Sequence, residues 1–483
     1  MEGASDEAAI TAWIADWVLD FASPCYGPRG QSKLIDMGGG EGRILKSGAS
    51  ALREAGIVHP DLQPYVELAA AVQAHAGDQA TGAVLLAAHL VRNALSGKDA
   101  GVPAVAYVDG YGLALRQARA QLSALAQADP GGRSLASVAP HIPGLHALAL
   151  AGLRRMGDAG TIPLDAVDVR AEPGEAEWLP GVVVEPQFEP RRAGGNVRVL
   201  LLSDGWKPGP WRQEFSYRMT AATPLDGWTG MEDARRRAAA QHVLDLGVGL
   251  VACSRELDPD VALALAGKGV FTWNDAPLSA LERLERATGA TRTSRLMQAG
   301  PRDLGQGRLE ARPRRRNGWT LAGAGPSSTI VVPAETAPAR DAAKDDGERM
   351  LRAAGSFLQD PVAVPGGGRW QRKLASGLRK AADAAPGKAP LALRAAAQSL
   401  DALADALVRN LGLDPMAHPL AADAEGVFDV ARSVRIAVVG AFEMAVQVLR
   451  IDARYRKRAS EGGWLRGGDK ASLVEGGDVP PLM

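Results

Sequence analysis

The segment Ala76-Gly-Asp-Gln-Ala-Thr-Gly-Ala-Val-Leu-Leu-Ala-Ala-His-Leu-Val-Arg-Asn93 decides how the rest of the chain is read. In it, a Gly-Asp turn runs directly into an apolar helix. Such a turn offers free backbone N–H groups and the positive end of a helix dipole to an anion. Asp78 beside bound phosphates is a hard oxygen ligand of the kind Mg²⁺ takes. The Thr81 hydroxyl can donate to a phosphate oxygen or cap the helix. The plainer alternative is that Asp78 N-caps a buried helix, and a short Gly-Asp motif taken alone favours it.

Around that segment the composition sets bounds. The chain has 483 residues, enough for two to four domains. Its 55 basic and 55 acidic residues balance, which argues against nucleic acid or an anionic membrane surface as the general partner. The apolar residues are chiefly Ala, Leu and Val, a helix-rich bias. Cys25 and Cys253 form no pairing pattern, as expected in a reducing cytosol. The acidic N-terminus lacks the features of a signal peptide, and no apolar run of about 18 residues occurs. These observations together predict a cytoplasmic protein without a membrane span.

Helical periodicity predicts helices at 8–22, 61–76, 81–95 and 104–126, an all-helical block with a short Gly-rich excursion at Gly38–Gly42. The period then changes. Val182–Val184, Val197–Leu202, Gly249–Cys253 and Val270–Trp273 read as strands, with helices between them at 231–246, 258–267 and 278–288. Thr329–Val332 is another strand, Pro333–Asp346 reads as a polar linker, and helices return at 369–385, 391–411 and 433–454. A helical domain split by an inserted α/β domain accounts for this order. The Gly-rich 461–483 reads as a disordered tail. His141 and His146 show no carboxylate or Cys partner in the surrounding sequence, so no metal site is expected there.

The segment resembles the phosphate-binding turn of the group II chaperonins, GDGTTT followed by an apolar helix, with Gln79, Ala80 and Gly82 replacing a Gly and two Thr. Further pieces resemble the same family in order. Gly27-Pro-Arg-Gly-Gln-Ser-Lys-Leu-Ile-Asp36 is similar to its GPRGMDKMLVD, and Glu282-Arg-Leu284 through Ala287-Thr-Gly-Ala290 to its RLAKATGA segment. Pro365-Gly-Gly-Gly368, Asn410-Leu-Gly-Leu-Asp-Pro415 and Leu449-Arg-Ile-Asp452 also fall into place.

The resemblance implies a multidomain α+β chaperonin-like fold. Its equatorial domain is made of 1–130 and 361–460, its intermediate domain of 131–180 and 321–360, and its apical domain of 181–320. It implies ATP or ADP bound through Gly27, Pro28, Gly30, Gly77, Asp78, Thr81, Gly366 and Gly367, with Mg²⁺ at Asp78. It also implies a client or partner protein held by the apical domain. Trp206, Trp211 and Trp228 fall where the family carries its lid protrusion, as exposed partner contacts or as local core.

Three departures predict slow or absent hydrolysis. Gly40 stands where the family's NDG loop has its aspartate, with Glu41 beside it. Ala353 stands where the family's ERSIHDAL helix has the aspartate that orients the attacking water. Gln79 is bulky where the backbone must approach phosphate. Two rivals follow: an adaptor that has lost nucleotide, and an active ATPase drawing carboxylates from Glu41 or from Asp345 and Asp346. The short 36–44 connection and the chain start close to the first helix further predict loss of the strand pairing that closes a double ring.

Overall fold

The computed structural model describes residues 3–39, 41–56, 59–99, 102–157, 163–188, 194–208, 226–312, 318–420 and 426–451. Helix Ala80–Asp99 is the axis of the helical unit. From Gly82 to Val91 only His89 is not fully buried, and a helix apolar on every side belongs inside a bundle. Gly3–Ala22, Gln63–Ala76 and Ala104–Leu125 from the first part of the chain pack with it into one apolar cluster. Arg369–Ala384, Ala389–Asn410 and Ala431–Leu449 from the last part join the same cluster. Neither end of the chain would bury its apolar face without the other. A small sheet ties the parts together, with Val362–Pro365 pairing antiparallel with both Gln127–Ala128 and Phe428–Val430.

Two sheets fill the middle of the chain. In the smaller, Ser328–Pro333 runs parallel to Val167–Glu172 and antiparallel to Glu177–Pro180, against helices Leu145–Met156 and Ala337–Gln359. The larger has six strands, with Gly195–Leu202, Val248–Cys253 and Phe271–Trp273 parallel and joined through helices Asp226–Asp245 and Pro259–Gly267. Strand alternation buries both of its faces. Val199, Leu201, Leu250 and Ala252 enter one cluster, while Leu200, Leu202, Val251 and Cys253 enter another. This is the multidomain α+β arrangement that the resemblance implies, an α/β unit inserted into a helical one.

Several sequence expectations need correction. Residues 333–346 are not a linker: Ala337–Gln359 is one continuous helix. Its buried residues include Ala343, Asp346, Gly347, Met350, Ala354 and Phe357, a helical repeat that starts with small residues and a charged one, which hides the period from composition. The first block is not all-helical, because Lys33–Gly38 and Glu41–Leu45 form an antiparallel hairpin with Leu34 opposite Ile44. The short connection is a formed two-stranded sheet that pairs with no further strand among the described residues. The proposed tail, 461–483, lies outside the described residues. No helix among them is long and apolar enough to cross a membrane.

Candidate functional site

Three loops from distant parts of the sequence converge on a pocket of about 730 Å³. The first is Gly27-Pro-Arg-Gly30, where Gly27 holds φ +89° and a Cβ would stand 2.6 Å from Leu407 Cδ2. The turn closes through Gly30 N–H donating to Gly27 C=O at 3.1 Å. Asn410 reaches across from the last part of the chain, its Nδ2 donating to the Ser23 and Tyr26 carbonyls at 2.7 Å each. Gly27 and Pro28 line the pocket, whereas Gly30 does not.

The second loop is the Gly77–Asp78 turn. Gly77 caps helix Gln63–Ala76 in the left-handed conformation. Gln79 follows at φ +65°, so a glutamine occupies the conformation for which the family sequence has glycine, at a cost of about 1–2 kcal/mol. Its Nε2 donates to Asp78 Oδ2 at 3.3 Å. Thr81 faces the pocket and accepts at Oγ1 from the Ala49 N–H at 3.2 Å, so its hydroxyl also caps helix Gly48–Glu54. Gly82 admits the Tyr26 ring, since a Cβ there would meet it at 3.1 Å. The replacement of threonine at this position is therefore a packing match with Tyr26.

The third loop is Gly366-Gly367-Gly368. Gly366 N–H donates to Val427 C=O at 2.9 Å, which draws the strand carrying Asp429 against the loop. Gly367 lines the pocket and Gly366 does not.

Asp429, Arg349, Lys46 and Arg133 also line the pocket, and the sequence alone does not mark them. Burial pushes the Asp429 carboxyl up to about 7, reinforced by the negative charge of Asp78, while hydrogen bonds from Trp370 and Ser137 pull the other way. The Gly426-Val-Phe-Asp429 run just ahead of a helix was its one sequence signal. Arg133 lies over the Phe428 ring, 5.0 Å from its centroid.

Arg349 binds Asp78 Oδ1 through Nη2 at 3.3 Å and Asp346 Oδ1 through Nη1 at 3.0 Å. Asp346 Oδ2 meets His141 Nε2 at 2.8 Å, and His141 Nδ1 lies 3.1 Å from Lys46 Nζ. His141 therefore has the carboxylate neighbour that its local sequence lacks. Among the described residues no group of three His, Cys, Asp or Glu side chains is placed to hold a metal ion.

The positions at which the resemblance looks for catalytic carboxylates differ from one another. Ala353 is fully buried in an apolar cluster with Leu135 and Phe357. Gly40 and the Glu41 side chain lie outside the described residues. Asp345 and Asp346 do not line the pocket. Both Asp346 oxygens are engaged, and Asp345 accepts from Ser50 Oγ at 3.3 Å. Trp206 is not an exposed contact. It is half-buried against the cluster of Val248, Leu257 and Val261, and its backbone bonds Glu256 and Asp258. Trp211 and the Trp228 side chain lie outside the described residues.

The chain matches the TCP-1/cpn60 chaperonin family over residues 18–140 and 155–420. It is 26% identical to the thermosome subunit beta of Desulfurococcus mucosus, covering 83% of this chain and 85% of that protein. It is 25% identical to a thermosome subunit of a Desulfurococcus species, covering 92% and 91%. It is also 25% identical to the thermosome subunit alpha of Sulfolobus acidocaldarius, covering 81% and 76%. With its fold, its three converging glycine loops and a family match spanning most of its length, the chain belongs to the TCP-1/cpn60 chaperonin family.

Proposed function

We propose that this chaperonin-like protein binds an adenine nucleotide in the pocket between its three glycine loops and hydrolyses ATP slowly or not at all. We propose further that it holds a partner protein through the 181–320 unit. The observation that carries the nucleotide reading is the convergence of Gly27, Gly77 and Gly367 with the Ala80–Asp99 helix start on one pocket. Its volume lies within the range of small-molecule sites, and the helix start supplies unpaired N–H groups for an anion.

Slow turnover is supported by what stands near the pocket. In-line attack on a phosphoryl group needs a positioned water. Ala353 offers a methyl group, and Asp346 has both oxygens committed to Arg349 and His141. The Mg²⁺ that the resemblance puts at Asp78 would have to draw that carboxylate away from Arg349 and Gln79. Self-association into a small oligomer is supported by the 33–45 hairpin, whose outer edges are unpaired among the described residues.

Thermal unfolding with ADP and ATP, together with a phosphate-release assay, tests this reading. A ligand that binds the folded state raises the melting temperature by mass action. We expect such a rise with turnover at background. Robust ATPase activity that disappears in Asp78→Ala would overturn slow hydrolysis. No shift at millimolar nucleotide would leave a nucleotide-free adaptor.

A further inference from the structure

We propose that this pocket takes a polyphosphate anion without a divalent metal, the Arg349 guanidinium holding the place on Asp78 that a metal would need. The proposal rests on the nucleotide reading of the same pocket and names its charge chemistry. A Mg²⁺ ion at a nucleotide site asks for only one or two protein carboxylates, so the question is whether the one on the turn is free. Asp78 Oδ1 faces Arg349 Nη2 and Asp78 Oδ2 faces Gln79 Nε2, each at 3.3 Å. Both oxygens thus already have protein donors.

The guanidinium is held from behind as well. Its Nη1 binds Asp346 Oδ1 at 3.0 Å, its Nη2 also donates to the Val138 carbonyl at 3.3 Å, and its side chain is only 18% exposed. Asp346 is in turn fixed by His141, which contacts Lys46. Freeing Asp78 for a metal means pulling Arg349 out of a network in which each member orients the next. A buried cation that loses its carboxylate is left uncompensated, which is costly.

The charge inventory agrees with this. Arg29, Lys46, Arg133 and Arg349 line the pocket, against the carboxyls of Asp78 and Asp429. The lining therefore carries an excess of fixed positive charge. Arginine in particular binds phosphate oxygens through a rigid, always-charged fork. A triphosphate entering this pocket meets on the protein the cations that a metal ion would otherwise bring.

Calorimetric titration of the full chain with ATP, ADP and inorganic tripolyphosphate, each in excess chelator and again in millimolar Mg²⁺, tests this. For the wild type we expect dissociation constants that agree within about threefold between the two conditions. Arg349→Gln should weaken metal-free binding by roughly tenfold or more, the loss expected for a charge-assisted contact, and should make binding Mg²⁺-dependent because Asp78 is released. Lys46→Gln, which leaves the Asp346 pair intact, should also lose metal-free affinity and serves if Arg349→Gln does not fold. Tighter binding of ADP than of tripolyphosphate would assign the site to a nucleotide, and the reverse order to inorganic polyphosphate. Wild-type binding that requires Mg²⁺ would overturn this proposal alone. Absence of binding by all three probes in both conditions would overturn it together with the nucleotide reading.

Discussion

The amide nitrogen of Ala353 lies so close to Gly77 that a Cβ built on Gly77 would stand 2.3 Å from it. Helix Ala337–Gln359, which links the middle of the chain to its last part, is thereby seated on the turn that opens the pocket. Only a residue without a side chain permits that seat, because Gly77 also holds φ +72°.

Gly77→Ala should therefore destabilise the fold by roughly 3 kcal/mol or more, combining left-handed strain with overpacking. Gly387 supplies the control. It has φ +66° but nothing within 4 Å of its Cβ position, so Gly387→Ala should cost only about 1–2 kcal/mol. Chemical denaturation of both variants measures the difference, and equal midpoints would show that Ala353 does not press on Gly77.

Gln79→Gly should leave stability within about 1 kcal/mol of wild type. Relief of the left-handed strain is offset by the greater backbone entropy of glycine and by loss of the bond to Asp78. Nucleotide affinity should rise, since the side chain beside the turn proposed to bind phosphate is removed. Titration with ADP decides, and weaker binding would mean that Gln79 is a ligand rather than an obstruction.

Asp429 predicts a pH dependence. Its carboxyl titrates near 7 in the folded chain and near 4 when unfolded. Between those values the folded state binds more protons than the unfolded state. Stability therefore falls as pH rises from about 4 to 7 on this account. Asp429→Asn can keep an acceptor for Trp370 Nε1, which donates to Asp429 Oδ2 at 3.0 Å, and it removes the titration. The variant should gain on wild type by a few kcal/mol at most between pH 5 and 8. Parallel denaturation curves across that range would refute a raised Asp429.

Leu34 and Ile44 face each other across the hairpin and are 71% and 38% exposed. An exposed apolar strand pair whose outer edges are unpaired among the described residues favours pairing with another chain. Sedimentation velocity should show Leu34→Lys with a lower average mass than wild type. An unchanged mass would remove the hairpin from the assembly.

The sequence by itself determined the helical bundle, the inserted strand-and-helix unit and the three glycine loops. Each of these rests on local physics: apolar periodicity, runs of β-branched residues, and turns that need glycine. It also supplied Asp78 and Thr81, because a polar residue in a Gly-rich turn ahead of an apolar helix stands out in one dimension. The hairpin at 33–45 and the helix start at Ala337 escaped it. The hairpin is short, turns through glycines and leaves Leu34, Met37 and Ile44 exposed, while the helix start is carried by alanine and charged residues whose burial depends on what packs against them. Only the tertiary structure decided the state of the pocket. Arg349 lies 271 positions from Asp78 in sequence, and Asp429 owes its proton to burial beside Asp78. Charge pairing and desolvation depend on distance in space, and spacing along the chain does not encode it.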